Sequence, residues 1–165
     1  MTQYSGKRPE LGWSQHMTGG WIGQAAQMRR WHARMSGATS PEDRYDFSYA
    51  FFECAFHLRD WFIDCGAAEK GDLEALFNAH EELRICRDLA NAHKHYSIKW
   101  PSQPHPPSEV REYAPGAGNL RCDVSLTVLS NGQKYDLFQL ADRVLAIWED
   151  FIAAYEAERA GPYDD

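Results

Sequence analysis

The chain of 165 residues has the length of one compact domain. Its apolar share of 44%, with 25% charged and 13% aromatic residues, is that of a globular protein with a core and not of a disordered chain. The net charge of −7, from 17 basic and 24 acidic residues, argues against a protein that coats nucleic acid by bulk charge, though it leaves room for a local basic site.

Residues 1–18 carry Gly, Pro, Ser and Thr without a period and read as an N-terminal arm. The helical domain is expected over 19–158, with 159–165 as a flexible acidic tail. A first helix is predicted from about Gly20 to Met35, where Trp21, Ala25, Met28, His32 and Met35 recur three and four apart. Ser40-Pro41-Glu42-Asp43 then supplies an N-cap, a proline in the first turn and early acids that suit the helix dipole. Phe47, Phe51, Cys54, Leu58, Trp61 and Cys65 follow as one apolar stripe, widened by Ala55 and Phe62, until Gly66 stops the helix. A third helical region spans about Asp72 to Tyr96. Asn78-x-x-Glu81 resembles a capping box, which predicts a break into two helices near Asn78.

From Ser97 to Leu120 the periodicity fails among Pro101, Pro104, Pro106, Pro107 and Pro115, and a long connection is expected. Cys122, Val124, Leu126 and Val128 alternate with polar residues as a half-buried strand. Asn131-Gly132 is the favoured two-residue hairpin turn, followed by a short return strand at about 133–135. Asp136 with Gln139 reads as the N-cap of a last helix whose core face is Leu137, Ala141, Val144, Trp148, Phe151 and Tyr155. Gly161-Pro162 ends it. The expectation is a mainly all-α fold: a four- to five-helix bundle with one small inserted β-hairpin near 121–136.

The richest apolar stretch, 47–65, is interrupted by Glu53, His57, Arg59, Asp60 and Asp64, so no membrane span is expected. The opening MTQYSGKRPELGW lacks the apolar centre of a secretory signal, and a cytoplasmic location is expected. Cys54, Cys65, Cys86 and Cys122 form no C-x-x-C pair, which disfavours structural zinc. Cys54, Cys65 and Cys86 lie in helical apolar patterns and read as buried thiols. With no glycine-rich phosphate loop and no nucleophile elbow, no cofactor is implied.

The densest polar segment is Arg84 to Tyr96. At ~100° per residue, Arg87 and His93 lie about 120° apart, with Leu83, Cys86 and Ala90 between them as a shallow groove. Arg84, Asp88, Asn91 and His95 fall on a separate polar face. Arg87-Asp-Leu-Ala-Asn-Ala-His93 resembles the R-x(4–6)-H motif of HEPN proteins, which are helical bundles. The polar Asp88 after the arginine, and the late place of the motif helix in the bundle, fit that family as well. The specific part covers about ten residues.

The resemblance implies a homodimer in which two copies of the motif form one cleft, acting as a metal-independent endoribonuclease or RNA-binding protein. It implies His93 as general base or acid and Arg87 as the charge stabiliser. Asp88 and Asn91 would orient them, and His95 or Lys94 would contact phosphate. A toxin subgroup carries R-x4-H-x-Y, with a tyrosine that an antitoxin modifies. Here five residues separate Arg87 from His93, and Tyr96 follows His93 by three, so that regulation does not carry over directly.

Other readings stay open. Arg87 can be a surface arginine paired with Glu81 or Asp88, and His93 a histidine meeting the helix-end carbonyls. The bundle can be a non-enzymatic interaction module, in a defence or toxin–antitoxin setting with an antitoxin or other protein partner. Glu53, His57, Asp60 and Asp64 share one face of the second helix and form an alternative metal-ligating set, with Glu53 and His57 its core; the competing reading is a solvated polar face.

Overall fold

The computed structural model describes residues 19–94, 109–113 and 125–161, with 93, 94, 109–113 and 125 described by backbone alone. Among the described residues the chain forms five helices and a three-stranded antiparallel sheet. The helices are α1 (Gly20–Gly37), α2 (Pro41–Asp64), α3 (Lys70–Ala79), α4 (Glu81–Lys94) and α5 (Leu137–Ala160). The strands are β1 (Glu109–Tyr113), β2 (Ser125–Ser130) and β3 (Gln133–Asp136).

The ends of α2 follow from local chemistry. The Ser40 hydroxyl accepts from the Asp43 amide at 3.0 Å, and Pro41 opens the helix where no amide proton is needed. At the other end the Ala67 amide donates to the Phe62 carbonyl at 2.9 Å and the Gly66 amide to the Ile63 carbonyl at 3.0 Å. Gly66 takes φ +67°, and this pair of bonds is the Schellman closure that a left-handed residue allows. In the same way the Asp136 carboxylate accepts from the Gln139 amide at 2.9 Å and starts α5. That helix continues to Ala160, so the first two residues expected in the acidic tail are helical.

The expected break in the third helical region exists, but not as a capping box. Asn78 stays inside α3, and His80 is the extended residue between the helices. The Arg84 guanidinium instead donates to the Asn78 carbonyl, one of the last-turn carbonyls that α3 leaves without an intrahelical donor.

The hairpin turn has positive φ at both Asn131 (49°) and Gly132 (75°), as the type I′ turn demands. Leu126, Val128 and Ser130 are buried while Thr127 and Leu129 are partly exposed, which is the alternation expected of a half-buried strand. The sheet order is β1-β2-β3, with Glu109 opposite Leu129, Tyr113 opposite Ser125 and Thr127 opposite Asp136. β1 is a correction: it lies in the stretch expected to be an unpatterned connection. Its backbone gains a ladder only because the far edge of β2 is available, and a partner edge is not written in five consecutive residues. Cys122 and Val124, expected in the same strand as Leu126, lie outside the described residues.

The core centres on Trp148, which is fully buried. Phe62 stacks on it with centroids 6.0 Å apart, and Phe77 and Phe151 meet it edge-on at 6.0 and 5.8 Å. Each such side chain removed from water contributes about 1.5–3 kcal/mol. The apolar face of α2 is broader than the expected stripe and rotated from it. Phe51, Phe52, Cys54, Ala55, Leu58 and Phe62 are buried, whereas Trp61 is partly exposed and Cys65 exposed. The cause is that α2 packs against α1 and α4 at once, so two faces are covered instead of one. The expectation of a buried Cys65 thiol is therefore corrected. Bidentate Arg29–Glu149 bonds of 2.6 and 2.7 Å, and a 2.7 Å contact between His32 Nε2 and Asp142, tie α1 to α5 at the surface. Among the described residues no helix is long and apolar enough to cross a membrane.

Candidate functional site

Helix α4 carries the motif, and its setting alters the picture drawn from the wheel. Leu83, Cys86 and Ala90, expected to floor a groove, are buried in the protein's own core. The Cys86 thiol donates to the Phe52 carbonyl at 3.4 Å, which fixes α4 against α2. That burial pushes the Cys86 thiol far above its usual range, so it stays neutral. The groove is thus filled and offers no seat for a partner helix.

Asp88 was expected on an open polar face beside Arg84 and Asn91; it is instead fully buried. Ile85 and Leu89 are buried on the remaining core side. The partly exposed polar residues on this part of α4 form a narrow strip of Arg84, Arg87 and Asn91, spaced three and four apart. The backbone places His93 in the last turn of α4. Its side chain and that of Lys94 lie outside the described part of the structure, as do His95 and Tyr96 entirely.

Arg87 is a half-buried cation. Burial pushes its guanidinium pKa below the ordinary value, Asp88 opposes that shift, Arg59 and Arg84 add to it, and Glu74 opposes it. An arginine in this position remains charged and is only partly hydrated.

Arg59 is the residue that sequence reasoning missed. It follows buried Ala55 by four and buried Phe52 by seven, which sets it at the edge of the covered face of α2. Its side chain retains 22% exposure. The guanidinium lies 5.1 Å from the Phe56 ring centroid and 5.9 Å from that of Phe77, close enough for cation–π attraction. Nε and Nη2 donate to Asp60 Oδ1 at 3.3 and 3.1 Å. Arg59, over Phe77, and Arg84, on the Asn78 carbonyl, both reach the C-terminal end of α3, and each is near enough to Arg87 to disfavour its charge. The four-residue offset from Ala55 was the available signal.

The alternative metal set is not assembled. His57 Nδ1 contacts Asp60 Oδ2 at 3.2 Å, Asp64 is exposed, and Glu53 lies one turn before His57. Among the described residues no group of three His, Cys, Asp or Glu side chains is gathered to hold a metal ion.

A depression of about 440 Å³ lies elsewhere, lined by Trp21, Ile22, Cys65, Tyr155, Glu156 and Arg159. Ile22 is 60% exposed at this place. No protein-family model matches the chain, and neither a curated protein nor a solved structure shows significant similarity to it.

Proposed function

We propose that the chain is a HEPN-like protein of the cytoplasm that binds RNA and cleaves it without metal, as a homodimer, through Arg87 and His93. The reading rests on the motif, on the helical bundle around it, and above all on one observation. Arg87 is a partly desolvated cation on the narrow accessible strip of α4, with two more arginines beside it. In an acidic chain such a strip supplies the guanidinium donors through which RNA phosphates are contacted.

In this reading the ribose 2′-oxygen attacks the adjacent phosphorus. The O2′–P bond forms, the P–O5′ bond breaks, and a 2′,3′-cyclic phosphate and a 5′-hydroxyl result. His93 takes the 2′-hydroxyl proton or delivers one to the leaving O5′. Arg87 donates to the nonbridging oxygens as charge builds on them. Buried Asp88 orients the helix face from which Arg87 projects. Since Arg87 and His93 lie about 120° apart on one helix, the two roles are filled across the dimer, Arg87 of one protomer opposing His93 of its partner.

The test is incubation of the purified protein with a mixed RNA pool in EDTA, beside an Arg87→Ala/His93→Ala variant prepared identically. Cleavage by the wild type alone, with cyclic phosphate ends, is the expected result. Absence of cleavage by a folded, dimeric wild type would remove the nuclease reading.

A second reading, a non-enzymatic interaction module, is favoured by the exposed Ile22 at the aromatic depression. It predicts that Ile22→Asp abolishes partner binding while Arg87→Ala leaves it intact.

A further inference from the structure

The Arg59 guanidinium is held from three sides. Two phenylalanine rings lie beneath it, at 5.1 and 5.9 Å, and the Asp60 carboxylate accepts hydrogen bonds from its Nε and Nη2. The Nη1 donors lie outside that contact. An arginine fixed in this way has already lost much of the rotamer freedom that binding would otherwise remove. Arg84 is fixed as well, by the Asn78 carbonyl at the end of α3. The carboxylates Asp60, Glu74 and Asp88 border the group and keep three clustered cations compatible with folding.

We propose that Arg59, together with Arg84, forms a second phosphate-holding position next to Arg87, so that the backbone of a single-stranded RNA runs from the α3–α4 junction along the accessible strip of α4. The inference rests on the RNA reading above and extends it to a residue of α2 that lies outside the motif. Forked guanidinium donors match the two nonbridging oxygens of a phosphodiester. The neighbouring phosphate is then presented to Arg87, and the substrate class is a flexible single strand whose backbone can follow a short strip.

The experiment measures binding of a fluorescein-labelled single-stranded RNA of mixed sequence by anisotropy, in EDTA and over a series of salt concentrations. The variants are Arg59→Met, Arg59→Lys and Arg34→Met. Met keeps an apolar stem over the Phe56 and Phe77 rings and removes the charge. Lys keeps the charge and loses the fork. Arg34→Met removes an equal charge from α1, where Arg34 stacks on Trp31 at 4.7 Å, and controls for net charge.

Arg59→Met is expected to weaken binding about tenfold, the loss typical of one charge-assisted contact, and to lower the salt slope by about 0.7, one phosphate on a single strand. Arg59→Lys is expected to keep the slope and bind about threefold to tenfold more weakly. Arg34→Met should stay within about twofold of the wild type. An Arg59→Met protein that binds as Arg34→Met does would overturn the inference while leaving the RNA reading in place. If Met does not fold, as judged by circular dichroism, a folded Arg59→Lys that binds as tightly as the wild type overturns the forked contact. A wild type that neither binds nor cleaves RNA removes both readings together.

Discussion

Phe62 is the position where the packing makes its sharpest demand. Its side chain is fully buried. It stacks on Trp21 at 4.6 Å and on Trp148 at 6.0 Å, and it meets Phe151 and Tyr155 edge-on at 5.2 and 5.6 Å. It therefore joins α1, α2 and α5 at one point. Phe62→Ala loses the transfer energy of the ring and leaves a cavity, for a cost of about 3–5 kcal/mol. That is a large part of the roughly 5–15 kcal/mol by which a domain is stable. Phe62→Leu keeps most of the volume and loses the ring pairs, each worth about 0.5–1.5 kcal/mol and not fully additive. Its expected cost is about 1–2 kcal/mol. Equilibrium urea unfolding followed by tryptophan fluorescence and by far-ultraviolet circular dichroism measures both, and the two probes must coincide. An Ala variant that loses less than about 1.5 kcal/mol would refute the reasoning, because a ring at the meeting point of three helices cannot be removed so cheaply. A Leu variant as damaged as Ala would show that shape and not volume carries the site.

Three further outcomes are expected. Ser40→Ala removes the cap on the Asp43 amide and should cost about 1 kcal/mol in a thermal or urea melt, while Ser40→Asp should cost little. The Arg29 hydrogen bond holds the Glu149 carboxyl below its ordinary pKa of 4.5. A depressed carboxylate pKa gives stability that is present above 4.5 and lost as pH falls through the lowered value, so the coupling in an Arg29→Ala/Glu149→Ala cycle should persist at neutral pH and vanish in acid. Both side chains are about 40% exposed, and the coupling should be no more than about 1 kcal/mol. In a Cys122→Ser background, an aromatic disulfide reagent should label Cys65 in the native protein well before the others. Cys54 is buried with its thiol pushed up to about 11, and Cys86 is enclosed completely. Fast labelling of Cys86 would contradict the packing of α4 on α2.

The sequence by itself determined the places where helices begin and end and where the chain turns back. Ser40-Pro41, Gly66, Asp136 with Gln139, and Asn131-Gly132 all act as expected, because a cap or a tight turn is closed by groups within a few residues of one another. The motif residues of the candidate site could also be named, since Arg87 and His93 are set on one helix by spacing alone. What surrounds them could not. Asp88 is buried, the Leu83–Cys86–Ala90 face is filled, Cys65 is exposed and Arg59 lies over the Phe56 and Phe77 rings because α2 and α4 each touch more than one neighbour. A single helical stripe records that a face is covered, but it does not record by how many helices or from which side. β1 likewise exists through the edge of β2, a partner distant in the chain. Local chemistry wrote the boundaries of the elements; their mutual packing decided which charges lie beside one another, and so which residues share the candidate site.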